Sequence, residues 1–154
     1  MIFEKIFLGG SKTTAVLPKR VIKLLELFMC DNVRFLIGDC CGVDLAMQIF
    51  LHSKGYRNVT VYCSGDKSRF NIGEWKVKHI PVDKSVDGYS FYQAKDIAMV
   101  SDCDGAFMLW DGKTRGTKNN IADLKKRGIP IFIYYTDINE MKVIRRKAFR
   151  EDKE

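Results

Sequence analysis

The stretch Asp104–Tyr135, DGAFMLWDGKTRGTKNNIADLKKRGIPIFIYY, decides how the chain is read. DGAFMLW is an apolar run of strand length. NNIADLKKRG places Ile121 and Leu124 at helical spacing and closes on Gly128, and IPIFIYY is a second buried strand. Strand, turn, helix, strand is the repeating unit of a parallel α/β sheet, which takes its ligands beside the turns that follow its strands. The turn here is Asp111-Gly112-Lys113-Thr114-Arg115-Gly116-Thr117. Gly112 and Gly116 let the backbone approach a ligand closely, and Thr117 is expected to cap the following helix. A helix N-terminus offers free N–H groups and a partial positive charge, so it suits a phosphate. Lys113, Thr114 and Arg115 add a hydroxyl and two charges beside it.

Outward from this unit the pattern repeats. Residues 4–8 read as a first strand, followed by the turn Gly9-Gly10-Ser11-Lys12-Thr13-Thr14. Pro18 suits a helix start, and Val21, Leu24, Leu25 and Phe28 share one helical face. Val33–Ile37 is the second strand, Gly38-Asp39-Cys40-Cys41-Gly42-Val43-Asp44 the second glycine-bearing turn. The helix after it carries Val43, Ala46, Met47 and Phe50 on one face and ends near Gly55. Val59–Cys63 is the third strand. A helix over 89–102 is expected to bury Ala94, Ile97, Ala98 and Ser101. The tail from Asn139 reads as helical, with Met141, Ile144 and Ala148 on one side.

The expected fold is α/β: a Rossmann-like three-layer sandwich with a five-stranded, mainly parallel sheet in the order 3-2-1-4-5. Residues 1–136 form the domain and 137–154 a basic C-terminal helix or tail. In that order three glycine-bearing turns converge on one crevice. Their candidate ligand contacts are Gly9, Gly10 and Ser11 from the first, and Gly38, Asp39, Gly42 and Asp44 from the second. Trp110 could stack on a base at the end of the fourth strand. Residues 64–88 lack a sustained period, apart from an extended piece near Val77–Ile80. They carry Arg69, Glu74, Trp75 and His79, a mixture suited to a lid as much as to a plain surface excursion.

With 154 residues, 46% of them apolar, the chain can build one core without staples. No apolar run reaches the roughly 20 residues that span a bilayer. The five cysteines form no C-x-x-C pair, so reduced thiols, a cytoplasmic location and no membrane partner are expected. The formal charge of +7 favours anionic partners, a nucleotide before a nucleic acid. Part of it lies in 142–154, which holds six basic and three acidic side chains and reads as a solvated terminal helix. With His52 and His79 the only histidines, no metal site is expected, and no cofactor. Phe107 stands where a P-loop needs glycine, and the G-x-G-x-x-G fingerprint is absent, which excludes the ordinary NTPase and dinucleotide sites. For glycosidic chemistry a carboxylate is required, and Glu74 and Asp96 are the catalytic candidates.

The GGSKT turn, GDCCGVD, KDIAM at Lys95–Met99 and WDGKTRGT together resemble the SLOG superfamily, the Rossmann-like group that includes the Lonely Guy phosphoribohydrolases. The second half is also similar to nucleoside 2-deoxyribosyltransferases. The resemblance spans Lys5–Tyr135 and implies a nucleoside or nucleotide pocket, with homodimers common among relatives. Lonely Guy enzymes carry P-G-G-x-G-T-x-x-E with a catalytic glutamate. Here Asn120 stands at that position and Lys95 replaces their arginine. Asparagine cannot act as a general base, so the resemblance leaves three functions: a nucleotide sensor, an N-glycosidase or deoxyribosyltransferase, and a DNA-associated module.

Overall fold

The central strands are apolar on both faces, so they fold into a sheet that helices must cover twice. The structure, a computed structural model, describes residues 2–14 and 16–145. In chain order the elements are β1 (Lys5–Gly10), α1 (Lys19–Cys30), β2 (Arg34–Gly38), α2 (Val43–Ser53), β3 (Val59–Ser64), β4 (Lys76–Ile80), α3 (Gly88–Asp102), β5 (Gly105–Trp110), α4 (Arg115–Lys126), β6 (Ile131–Tyr135) and β7 (Glu140–Ile144). The fold is Rossmann-like α/β. Strand count and order differ from expectation: the sheet has seven strands, ordered β4-β3-β2-β1-β5-β6-β7. The five expected strands occupy its middle, and one further strand is added at each edge. All neighbours pair in parallel except β6 and β7.

Alternation along each strand divides the core in two. Ile6, Leu8, Phe35, Ile37, Val61, Phe107 and Leu109 pack under α1 and α2. Phe7, Leu36, Tyr62, Ala106 and Met108 pack under α3 and α4. No helix among the described residues is long and apolar enough to cross a membrane.

Of the two added strands, β7 corrects a reading and β4 bears one out. Residues 140–144 are not helical: Glu140–Ile144 returns as a hairpin on β6, with Tyr135 opposite Glu140, and the rest of the expected terminal helix, 146–154, lies outside the described residues. Asn139 takes a left-handed φ of 53° in the turn, and Tyr134 Oη donates to its Oδ1 at 3.2 Å. Met141 and Ile144 fit a helical spacing only by coincidence, and Ala148 lies outside the described residues. The piece near Val77–Ile80 is β4, which joins β3 without a crossover helix. Trp75 anchors the connection: its ring is core, and its Nε1 donates to Tyr56 O at 2.9 Å.

Two helices also differ in register. In α3 the sheet-facing residues are Lys95, Met99 and Val100, while Ile97 and Ser101 are exposed. A lysine at a core-facing position broke the apolar pattern, and its role appears in the site below. Helix α4 begins at Arg115 with Thr114 as its N-cap, so Thr117 lies inside the first turn and does not cap.

Candidate functional site

Parallel strands end together, so β1, β2 and β5 deliver their turns to one carboxyl edge, where α2, α3 and α4 begin. Between these turns and the start of α3 lies a cavity of about 740 Å³. That is within the roughly 300–1,000 Å³ usual for small-molecule sites. From the expected set, Gly9, Gly10, Asp44, Thr114, Arg115, Gly116, Thr117 and Asp96 line it.

The turns are locked onto one another before any ligand enters. A Cβ on Gly10 would stand 2.2 Å from Leu109 O, so that glycine permits the β1–β5 junction. Gly42 has φ +77°, and a Cβ there would stand 2.4 Å from the Lys12 carbonyl. Only glycine lets those two turns touch. Ser11 is fully buried, with Oγ hydrogen-bonded to Thr114 Oγ1 at 2.9 Å and accepting from Asp111 N at 3.0 Å. Ser11 therefore staples the first turn to the third and does not face the cavity. Asp111 Oδ1 accepts from the N–H groups of Lys113 and Thr114, both at 2.8 Å, and tightens the third turn.

The remaining candidates also have structural partners. Gly38 leaves room for Asp44, whose Oδ2 would be 2.6 Å from a Cβ there. Asp39 is buried and accepts from Arg69 N at 2.9 Å and from its guanidinium at 2.7 Å, which pins the segment after β3. Trp110 does not line the cavity. Its Nε1 donates to Thr114 O at 3.1 Å, and its ring lies against Tyr135. Gly112 and Lys113 are exposed on the far side of the turn. Glu74 is exposed ahead of β4, toward the amino edge of the sheet, and does not line the cavity. In the 64–88 segment only Arg69 and Gly88 reach it; Trp75 is core, and His79 sits on β4 against Cys63 Sγ at 3.1 Å.

The rim of the cavity is cationic. The N-cap Thr114 spends its hydroxyl on Ser11, so α4 has no side-chain cap. Among the described hydrogen bonds the N–H groups of Arg115, Gly116 and Thr117 have no acceptor. Arg115 lies over the Tyr89 ring, 3.8 Å from its centroid, and Asn119 Nδ2 donates to Tyr89 Oη at 2.6 Å. Arg69 lies 4.3 Å from the Tyr92 centroid. Each guanidinium thus sits over an aromatic ring, a placement worth about 0.5–2 kcal/mol. Sequence reasoning missed both tyrosines. Their spacing of three at the start of α3 was the available signal, since one helical face carries both.

The floor is different. Lys95, nearly buried, places Nζ 2.9 Å from Asp96 Oδ1, and Asn120 Nδ2 donates to Asp96 Oδ2 at 3.2 Å. Burial works against the Lys95 charge, but the Asp96 and Asp44 carboxylates outweigh it and raise its pKa. Burial pushes Asp44 up to about 7; Lys95 opposes this and Asp96 adds to it. Burial, then the Asp44 carboxylate, also raises the Cys40 thiol, which disfavours a thiolate nucleophile there. Among the described residues no cluster of His, Cys, Asp and Glu is arranged to hold a metal ion.

The chain matches no family model, no curated protein and no solved structure.

Proposed function

We propose that this is a SLOG-type domain that binds a nucleotide or nucleotide-derived ligand, phosphate at the rim and ribose at the floor. The observation that carries this is the uncapped start of α4 facing the cavity beside Arg115, which Tyr89 holds in place. Free N–H groups, a helix dipole and an oriented guanidinium together form a phosphate cradle. Lys12 and Arg69 line the same cavity and reinforce the anionic preference. In this reading Asn120 accounts for a site that holds its ligand unchanged, because an amide cannot take up a proton at neutral pH.

A second reading, an N-glycosidase or deoxyribosyltransferase in the same cavity, is favoured by Asp96, a carboxylate on the floor. Glu74 has no part in it. Both readings are tested by one experiment. Nucleoside monophosphates, deoxynucleosides, NAD and ADP-ribose are incubated with the protein, followed by NMR, and the same mixtures are melted. An intact ligand that raises Tm supports the sensor. Free base accumulating with time, and lost in Asp96→Ala, supports the enzyme. If neither signal appears with any of these ligands, the nucleotide reading fails. Self-association belongs to the same proposal, and a monomer by light scattering at working concentration removes it.

A further inference from the structure

The floor and rim of the cavity are chemically opposed, and the floor is the more selective of the two. Asp44 is nine-tenths buried, and Gly38 packs against its Oδ2, which accepts from Cys40 N at 3.1 Å. Its Oδ1 has no hydrogen-bond partner among the described residues. Yet no buried side-chain oxygen is left unsatisfied, so this atom has access to the cavity that Asp44 lines. Asn120 is equally enclosed. Its Nδ2 is committed to Asp96, and its Oδ1 has no partner. Asp96 holds Lys95 and Asn120 with one lone pair on each oxygen, which leaves acceptor capacity on both. The deep end thus presents several acceptors around a single ammonium group that is already neutralised.

A phosphate is repelled by two carboxylates. An apolar group would leave those buried oxygens unpaired, which is costly. A neutral group with adjacent hydroxyls satisfies them, since each hydroxyl donates to one acceptor and can accept from Lys95 or from a protonated carboxyl.

We infer that Asp44, Asp96 and Asn120 read the vicinal diol of a ribosyl group, so that the ligand is a ribonucleotide type and a 2′-deoxyribonucleotide is rejected. This rests on the nucleotide reading above and deepens it. It also separates the site from deoxyribosyl transfer. A site built to hydrogen-bond a hydroxyl discriminates strongly against the analogue lacking it, because its own polar groups are then stranded.

The test is calorimetric titration of the unmodified protein with AMP, GMP, CMP and UMP, each beside its 2′-deoxy counterpart. Ribose 5-phosphate and 2-deoxyribose 5-phosphate serve as minimal probes. At least tenfold tighter binding of the ribo member of a pair is expected. Asp96→Asn and Asp44→Asn are expected to bring that ratio toward one. If turnover occurs, the ratio of kcat/KM replaces the ratio of affinities. Equal or tighter binding of the deoxy member overturns the inference and leaves the nucleotide pocket standing. Absence of binding by every member overturns it, and the nucleotide reading falls with it where NAD and ADP-ribose also give no thermal shift and no free base. The ratio for the unmodified chain decides the matter even where a variant fails to fold.

Discussion

The middle of the sheet and its carboxyl edge use the same strands for opposite ends. In the middle, Phe7, Leu36 and Phe107 are sealed, and each face is covered by its own pair of helices. At the edge those strands run into glycine turns, an uncapped helix and carboxylates with unused lone pairs. The middle tolerates no unmatched group. The edge retains several, and these are what a ligand could satisfy. Stability and recognition are thus separated by about two residues of strand, and substitutions should divide along the same line.

The largest effect on stability belongs to the middle. Phe107 is fully buried and meets the Phe132 ring edge-on at 6.4 Å. Phe107→Ala should cost about 3–5 kcal/mol in a denaturant titration. A loss below about 1 kcal/mol would mean that the two-sided packing is wrong.

Next comes Asp44, which belongs to both regions. Its carboxyl titrates at about 7 in the folded chain against 3.8 in the open one. Well below pH 3.8 both states hold the proton and the Asp44 contribution is fully present. As pH rises from 4 to 7 the unfolded chain ionises first, so stability falls, by about 4 kcal/mol in all, and then levels off. Asp44→Asn should remove that slope, which urea midpoints at pH 4.5, 6 and 7.5 would read. A variant with the same slope as the parent would place Asp44 in contact with bulk water.

The smallest effect on stability, and the sharpest on recognition, is expected at Gly116. A Cβ there meets nothing within 4 Å, yet the residue lines the cavity at the start of α4. Gly116→Val should keep or raise Tm, by no more than about 1 kcal/mol in stability, while abolishing the ligand-induced thermal shift. Retained binding would move the phosphate cradle elsewhere and would dissolve the contrast between edge and middle.

Much of this was legible in the residues. Apolar runs of strand length, glycine turns and helical spacing were enough to locate the five central strands and the cavity's edge, because burial on both faces leaves a continuous apolar mark. Edge strands leave a weaker one. β7 is half-exposed, its pattern is short, and Met141 and Ile144 imitate a helix. Lys95 misled for a related reason. A charged residue facing inward belongs to no periodic pattern, and only Asp44 and Asp96 make its burial sensible. Trp110 stood beside the right turn in sequence but its indole is taken by Thr114 O and Tyr135, while Glu74, in the 64–88 segment, is exposed and does not line the cavity.

What the sequence by itself determined, then, is the parallel α/β order of the central strands and the turns at their ends. Those follow from local periodicity and from glycine, which act within a few residues. Only the tertiary structure decided which polar groups meet. Ser11 was turned inward to Thr114, Asp39 was taken by Arg69, and Asp44, Lys95, Asp96 and Asn120 were gathered from three helices into one floor. Such contacts depend on the rotation of each helix about its own axis. Packing against the sheet sets that rotation, and no spacing along the chain records it.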